Sequence, residues 1–278
     1  MTTVADAIAA LEAAYPPELA ESWDAVGLVC GDPGEELNRV LVCVDPVAET
    51  VDEAIETGAQ LIVAHHPLLL RGVHGVPADT PKGGLVHRMV RGGVALFCAH
   101  TNADSADPGV SDALAAAIGV TGLTPLAPTP DGRTGIGRVG TLPEAEPFAV
   151  FVERVARALP ATEGGVRAAG EANRPIRTVA VSGGAGDSYL STAAALGVDA
   201  YVTADLRHHT AGEHLAVPGA PALVDVAHWA SEWPWCEQAA GVLRAALGGT
   251  VVIDVSTRRT DPWTCQAAGA PTTRRTTR

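Results

Sequence analysis

The chain has 278 residues, 47% of them hydrophobic, enough to build one large core or two ordinary ones. Its net charge of −13 argues against a general nucleic-acid or anionic-membrane binder, because such a surface repels phosphate, so a phosphorylated substrate would need a local positive site such as a bound metal. No apolar run is long enough to span a bilayer.

The opening segment MTTVADAIAALEAAYP reads as an amphipathic helix over about residues 3 to 15. It carries acids and lacks the basic region and cleavage site of an export signal, so a cytoplasmic protein is expected. Then come a strand RVLVCVD, a helix VAETVDEAIETG closed by Gly58, a strand QLIVA, a helix GLVHRMVRGG and a strand VALFCA. This βαβαβ rhythm predicts an α/β fold with a mostly parallel or mixed sheet covered by helices, and such sheets bind ligands at the carboxyl ends of their strands.

After the helix VSDALAAAIGV, the stretch 121–137 holds three prolines and four glycines and reads as a connection between domains. A second α/β series follows: GRVGTL, the helix PFAVFVERVARAL, RTVAVSGGAG, the helix DSYLSTAAALG and DAYVTADLRHH. Next come ALVDVAHWASE, a long helix to about Leu247 and a last strand TVVIDV. The expected organisation is two α/β lobes, residues 1–125 with 221–256 and residues 126–220, with the functional site expected at strand C-terminal ends between the lobes. The polar stretch 257–278 is expected to be a disordered tail. Five cysteines, an odd number without CxxC spacing, read as reduced residues, with neither a zinc cluster nor a disulfide framework.

The polar residues at the strand ends carry the chemical signal. LIVA ends in His65 and His66; VALFCA ends in His100, with Asn102 and Asp104 next; ALVDVA ends in His228, with Glu232 four residues on. If these strands share a sheet, the residues converge in one crevice. Imidazoles with carboxylates form a mixed nitrogen and oxygen shell suited to Zn²⁺, Mn²⁺ or Fe²⁺, able to hold two ions if a carboxylate bridges. The plain alternatives are hydrogen-bonded strand-end histidines, a turn residue at Asp104 and a helix cap at His228 and Glu232. The glycine run SGGAGDS reads as a phosphate cradle or a tight strand-to-helix turn, and TADLRHH as a cavity wall or a solvated helix start.

SWDAVGLVCGDP, AHHPLLLRG, AHTNADSADPGVSDALA, VSGGAGDS and AHWASE, in that order, resemble the NIF-three-like dinuclear metal-centre family, which includes YbgI-like proteins and GTP cyclohydrolase 1 type 2 homologues. The resemblance extends to about residue 256. It implies a two-lobed α/β protein assembled as a toroidal homohexamer, with two divalent metal ions per subunit (Zn²⁺, Mn²⁺ or Fe²⁺) facing an internal cavity. The family's ligands fall on His65, His66, Asp104, His228 and Glu232, with Glu232 bridging. The sequence departs from the family pattern at Ala25, where an asparagine is usual; Trp23 and Asp24 remain, read either as substrate contacts or as a buried aromatic beside a turn carboxylate.

The chemistry expected of such a centre is hydrolysis by a metal-activated water acting on a nucleotide-like or other small substrate, with His100 or His209 relaying the proton and Asn102 orienting ligands through hydrogen bonds. Phosphoester hydrolysis would use the same metals, and a metal-binding or regulatory hexamer without turnover is the rival from another class.

Overall fold

The structure is a computed structural model and describes residues 1–267. Helix α1 (Val4–Ala14) is capped by Thr3, which accepts from the Asp6 amide, and it buries the stripe Val4, Ala7 and Leu11. The α/β alternation follows with β1 (Gly27–Cys30), β2 (Arg39–Cys43), α2 (Ala48–Thr57), β3 (Leu61–Ala64), α3 (Pro81–Arg91) and β4 (Ala95–Cys98). Then come α4 (Thr101–Ser105), α5 (Val110–Ala117), β5 (Thr121–Pro128), β6 (Gly135–Pro147), α6 (Phe148–Ala158), β7 (Arg167–Ala169) and β8 (Pro175–Ala185). The chain continues through α7 (Leu190–Leu196), β9 (Ala200–Ala204), α8 (His208–Leu215), β10 (Ala222–Val226), α9 (His228–Leu247) and β11 (Val252–Val255).

Two mixed sheets result. The first has the order β1-β4-β3-β2-β11, with β4, β3, β2 and β11 parallel and β1 antiparallel at one edge. β3 and β4 are buried along their whole length, as expected of parallel strands covered on both faces. The second sheet has the order β5-β6-β8-β9-β10-β7, parallel through β8, β9 and β10 and antiparallel elsewhere. One core joins them: Val42, Val63 and Phe97 of the first sheet and Val181, Val202 and Val224 of the second belong to the same buried cluster as Trp229, Trp235 and Ala239 of α9. The long helix therefore fills the space between the sheets. The buried guanidinium of Arg138 on β6 ties α4 and α5 to this frame, donating to Asp112 at 2.9 Å and to the carbonyl of Ala106.

Three expectations need correction. Residues 121–137 are not a free connection: β5 pairs antiparallel with β6 in the second sheet, its prolines tolerated because it is an edge strand. β10, expected in the first lobe, lies between β9 and β7 of the second sheet, so only α9 and β11 return to the first. The stretch after β11 is tethered at its start: Arg258 and Arg259 pair with Glu56 and Glu163, the Thr260 hydroxyl donates to Asp45 and Asp261 is buried, while residues 262–267 are exposed. The rest of the expected tail, 268–278, lies outside the described residues.

Candidate metal centre

The histidine pair is held where β3 runs out. The amides of His65 and His66 still donate to Cys43 O (3.1 Å) and Val44 O (2.9 Å), and Pro67, lacking an N–H, follows. The two rings lie with centroids 5.1 Å apart at 41° to each other, so adjacent residues face one centre where a regular strand would send them to opposite faces. His100 follows β4 as the N-cap of α4 and brings its ring within 5.3 Å of His65 and 5.8 Å of His66. His228 opens α9, and Glu232, one turn on, lies on the same helix face.

All four rings are fixed through Nδ1. His65 Nδ1 meets Ala99 O at 2.9 Å, His66 Nδ1 meets Asp45 at 2.7 Å, His100 Nδ1 meets Asp24 at 2.8 Å and His228 Nδ1 meets Asp205 at 2.7 Å. A carbonyl or carboxylate at Nδ1 makes that nitrogen the protonated one and leaves the lone pair on Nε2. Around Glu232, Nε2 of His66 and of His228 lie 3.0 Å from its carboxylate oxygens and Nε2 of His65 lies at 3.5 Å; Asp104 stands 3.8 Å from His65 Nε2. With neutral rings acceptors would face acceptors, a conflict that a proton or a metal ion on Nε2 relieves. His65 Nε2 and Glu232 Oε2 are buried without a hydrogen-bond partner among the described residues, an arrangement that is costly until a cation enters it.

The electrostatics point the same way. Burial pushes Glu232 up, but the imidazoles of His66, His65 and His228 outweigh it and hold the carboxylate well below its usual range. Burial opposes charge on His228, yet Glu232 and Asp205 raise it to about 10. Burial pushes Asp104 up, partly offset by His65. A centre that draws protons onto imidazoles draws divalent cations onto the same lone pairs. Two sets of donors lie within 4.8 Å of one another, His65 with His66 and His100, and His66 with His228 and Glu232. This mixed donor set fits Zn²⁺, Mn²⁺ or Fe²⁺.

The structure therefore brings together His65, His66, Asp104, His228 and Glu232, and adds His100 beside them. Asn102 supports the site from behind: its Oδ1 accepts from the His100 amide at 2.9 Å while its Nδ2 donates to Tyr15 O at 2.7 Å. His209 does not reach the cluster. It is exposed on the first turn of α8, its ring against that of His208, because the turn after β9 delivers Asp205 to the site instead. Asp205 takes a left-handed conformation, φ 59°, a strain accepted where it seats His228.

Sequence reasoning passed over Asp45 and underrated Asp24 and Asp205. A signal existed for two of them, since Asp45 and Asp205 follow apolar strands as the histidines do. The glycine run is explained by close approach: a Cβ on Gly184 (φ 64°) would lie 2.5 Å from Glu232 Oε1 and 3.1 Å from His228 Nε2. The amides of Gly183 and Gly184 already donate to Ser111 and Ser231, so they do not form a phosphate cradle. The cluster opens into a cleft of about 990 Å³ whose lining includes Asp45, His66, His100 and His228.

Two mixed α/β sheets around one core, with histidine and glutamate groups able to hold a metal where strand ends meet, define the class of protein. The chain belongs to the Duf34/NIF3 (NGG1p interacting factor 3) family, whose model matches residues 2–262, as the motif series in the sequence led one to expect. It is 51% identical over 278 residues to the GTP cyclohydrolase 1 type 2 homolog of Streptomyces coelicolor, covering 98% of this chain and 97% of that protein. The protein of the same name from Mycobacterium tuberculosis is 41% identical, covering 94% and 96%. In structure the chain is similar to a Bacillus cereus protein related to NIF3, with TM-score 0.87, 24% identity, and coverage of 95% of this chain and 99% of that one. Among the described residues no helix is long and apolar enough to cross a membrane.

Proposed function

We propose that the chain holds two divalent metal ions per subunit, one on His65 with Asp104 and one on His66 with His228, and Glu232 between them, and that it acts as a cytoplasmic hydrolase of a small, nucleotide-like molecule. The observation that carries the reading is the group of pinned imidazoles: each of four Nδ1 atoms is held, and Nε2 of His65, His66 and His228 converge on a buried carboxylate. Carboxylate–imidazole pairs of this kind set the tautomer and raise ligand basicity. When bound, such ions lower the pKa of a water and polarise a substrate oxygen.

The protein's own groups do the rest. His100, paired with Asp24 and opening to the cleft, is placed to hold or pass a proton at Nε2. The cleft has room for a nucleotide-sized molecule, and the relatives' name supports ring opening of a guanine nucleotide as the reaction to try first. Formate release would mark that chemistry; phosphate release would mark a phosphoesterase. A toroidal homohexamer is the proposed assembly, and light scattering showing a stable monomer at micromolar concentration would remove that part alone.

The test of the centre is metal analysis after stripping with chelator and reloading with Zn²⁺, Mn²⁺ or Fe²⁺. The wild type is expected to take up two ions per subunit, and Glu232→Gln and His66→Ala to take up less while keeping the fold by circular dichroism. Wild-type metal content in both variants would refute the assignment.

A further inference from the structure

We propose that Thr260, in the segment that follows the last strand, is a positioning residue of this centre: it clamps Asp45, which in turn seats His66. The inference rests on the reading of the cluster as a metal centre.

After β11 the chain turns back over the carboxyl end of β2, and each step of that path is fixed. Ser256 donates through its amide to Val42 O (2.8 Å) and through its hydroxyl to Glu53 (2.6 Å), and its carbonyl accepts from Trp233 Nε1 (2.9 Å). Arg258 pairs with Glu56 at 3.1 Å on α2, and Arg259 pairs with Glu163 at 3.1 Å on the loop before β7. The segment is thereby strapped to both halves of the molecule, and it delivers the Thr260 hydroxyl to Asp45 Oδ2.

The other oxygen of Asp45 is the one that His66 uses: Nδ1 meets Oδ1 at 2.7 Å. The backbone of Asp45 is already held, because Thr50 Oγ1 donates to its carbonyl at 2.7 Å. What remains free is rotation of the carboxylate, and Thr260 removes it. The same device occurs a second time in the site. Asp24 gives Oδ1 to His100 Nδ1 and Oδ2 to the hydroxyl and amide of Thr101. There the threonine is next to the histidine in sequence; for His66 it comes from the far end of the chain. Two threonine–aspartate–histidine chains of the same polarity, built from unrelated segments, are hard to explain as surface hydrogen bonding.

The experiment is a Co²⁺ titration of the stripped full-length protein, followed by the visible absorption of the bound ion, for wild type, Thr260→Val, Thr260→Ala and Thr260→Ser. Loss of an outer partner of a ligating histidine lowers metal affinity by about 10- to 100-fold. For a group one bond further out, the lower end applies: a drop of about tenfold in one of the two binding steps, with an altered absorption band, in both hydroxyl-free variants. Serine, which keeps the hydroxyl, is expected to restore the wild-type curve, which loss of packing alone would not predict. Thr260 is only partly buried and lies outside the hydrophobic clusters, so the alanine and valine variants are expected to fold. If the wild type binds no Co²⁺, the metal-centre reading falls and this inference with it. If it binds two ions and the valine and alanine variants match it in both steps, the centre stands and the role of Thr260 is refuted.

Discussion

Replacing Gly184 with alanine tests whether the glycine run serves the site. Gly184 and Gly58 both lie in the left-handed region, at φ 64° and 70°, so alanine at either position carries the backbone penalty of about 1–2 kcal/mol. Around Gly58 a new Cβ meets nothing within 4 Å, whereas at Gly184 it falls 2.5 Å from Glu232 Oε1 and 3.1 Å from His228 Nε2. Glu232 is buried among imidazoles and cannot swing away freely, so overpacking adds about 1–3 kcal/mol at Gly184 alone. At roughly 2–4 °C per kcal/mol for a domain of this size, the gap between the two variants is about 2–12 °C in melting temperature. Calorimetry on chelated protein reads the gap, and metal analysis reads its consequence: Gly184→Ala is expected to lose bound metal and Gly58→Ala to keep it. Equal melting temperatures and equal metal content would show that the backbone's approach to the cluster has no energetic meaning.

Asp24 gives a pH signature in the metal-free protein. Burial pushes its carboxyl up, but hydrogen bonds from His100 and Thr101 outweigh that and hold it below the ordinary carboxylate range. A depressed folded pKa means that its stabilisation is present above the unfolded value of about 3.9 and is lost as pH falls through the folded one. Asp24→Asn is therefore expected to lower stability at pH 7 by about 1–3 kcal/mol, the scale of hydrogen bonds to a charged group, and the gap to the wild type should narrow below about pH 4 in denaturant midpoints. A gap that is constant with pH would refute it. Cys98 is fully buried, with burial pushing its thiol up and its Sγ donating to His65 O at 3.3 Å. Cys98→Ser should lower the melting temperature and leave metal content unchanged; loss of metal would give that thiol a role denied to it here.

Local pattern alone was enough to read the α/β style, the runs RVLVC, LIVA and ALFC as buried strands of a mostly parallel sheet, and the strand-end positions of His65, His66, His100 and His228. These are local properties: a strand covered on both faces must be apolar throughout, and a polar residue just after it lies at the sheet's carboxyl edge. The pattern could not tell which sheet a strand joins. Ala222–Val226 reads like any buried strand, and only its pairing with Ala200–Ala204 assigns it to the second sheet. The same limit hid half of the centre. The partners that lock the imidazoles stand far away in the chain: Asp45 lies 21 residues from His66, Asp205 23 from His228, Asp24 76 from His100, and Thr260 215 from Asp45. The position of His209 on the exposed first turn of α8 and the tethering of the segment after Val255 have the same cause. A side chain's type is set by its codon and its local element by its neighbours, but the direction in which it meets a partner is set by how distant backbone segments stack. The tautomers of His65, His66 and His100 follow from contacts at the end of the first sheet, and that of His228 from the turn after β9; the stacking of both sheets on α9 then brings the rings to Glu232.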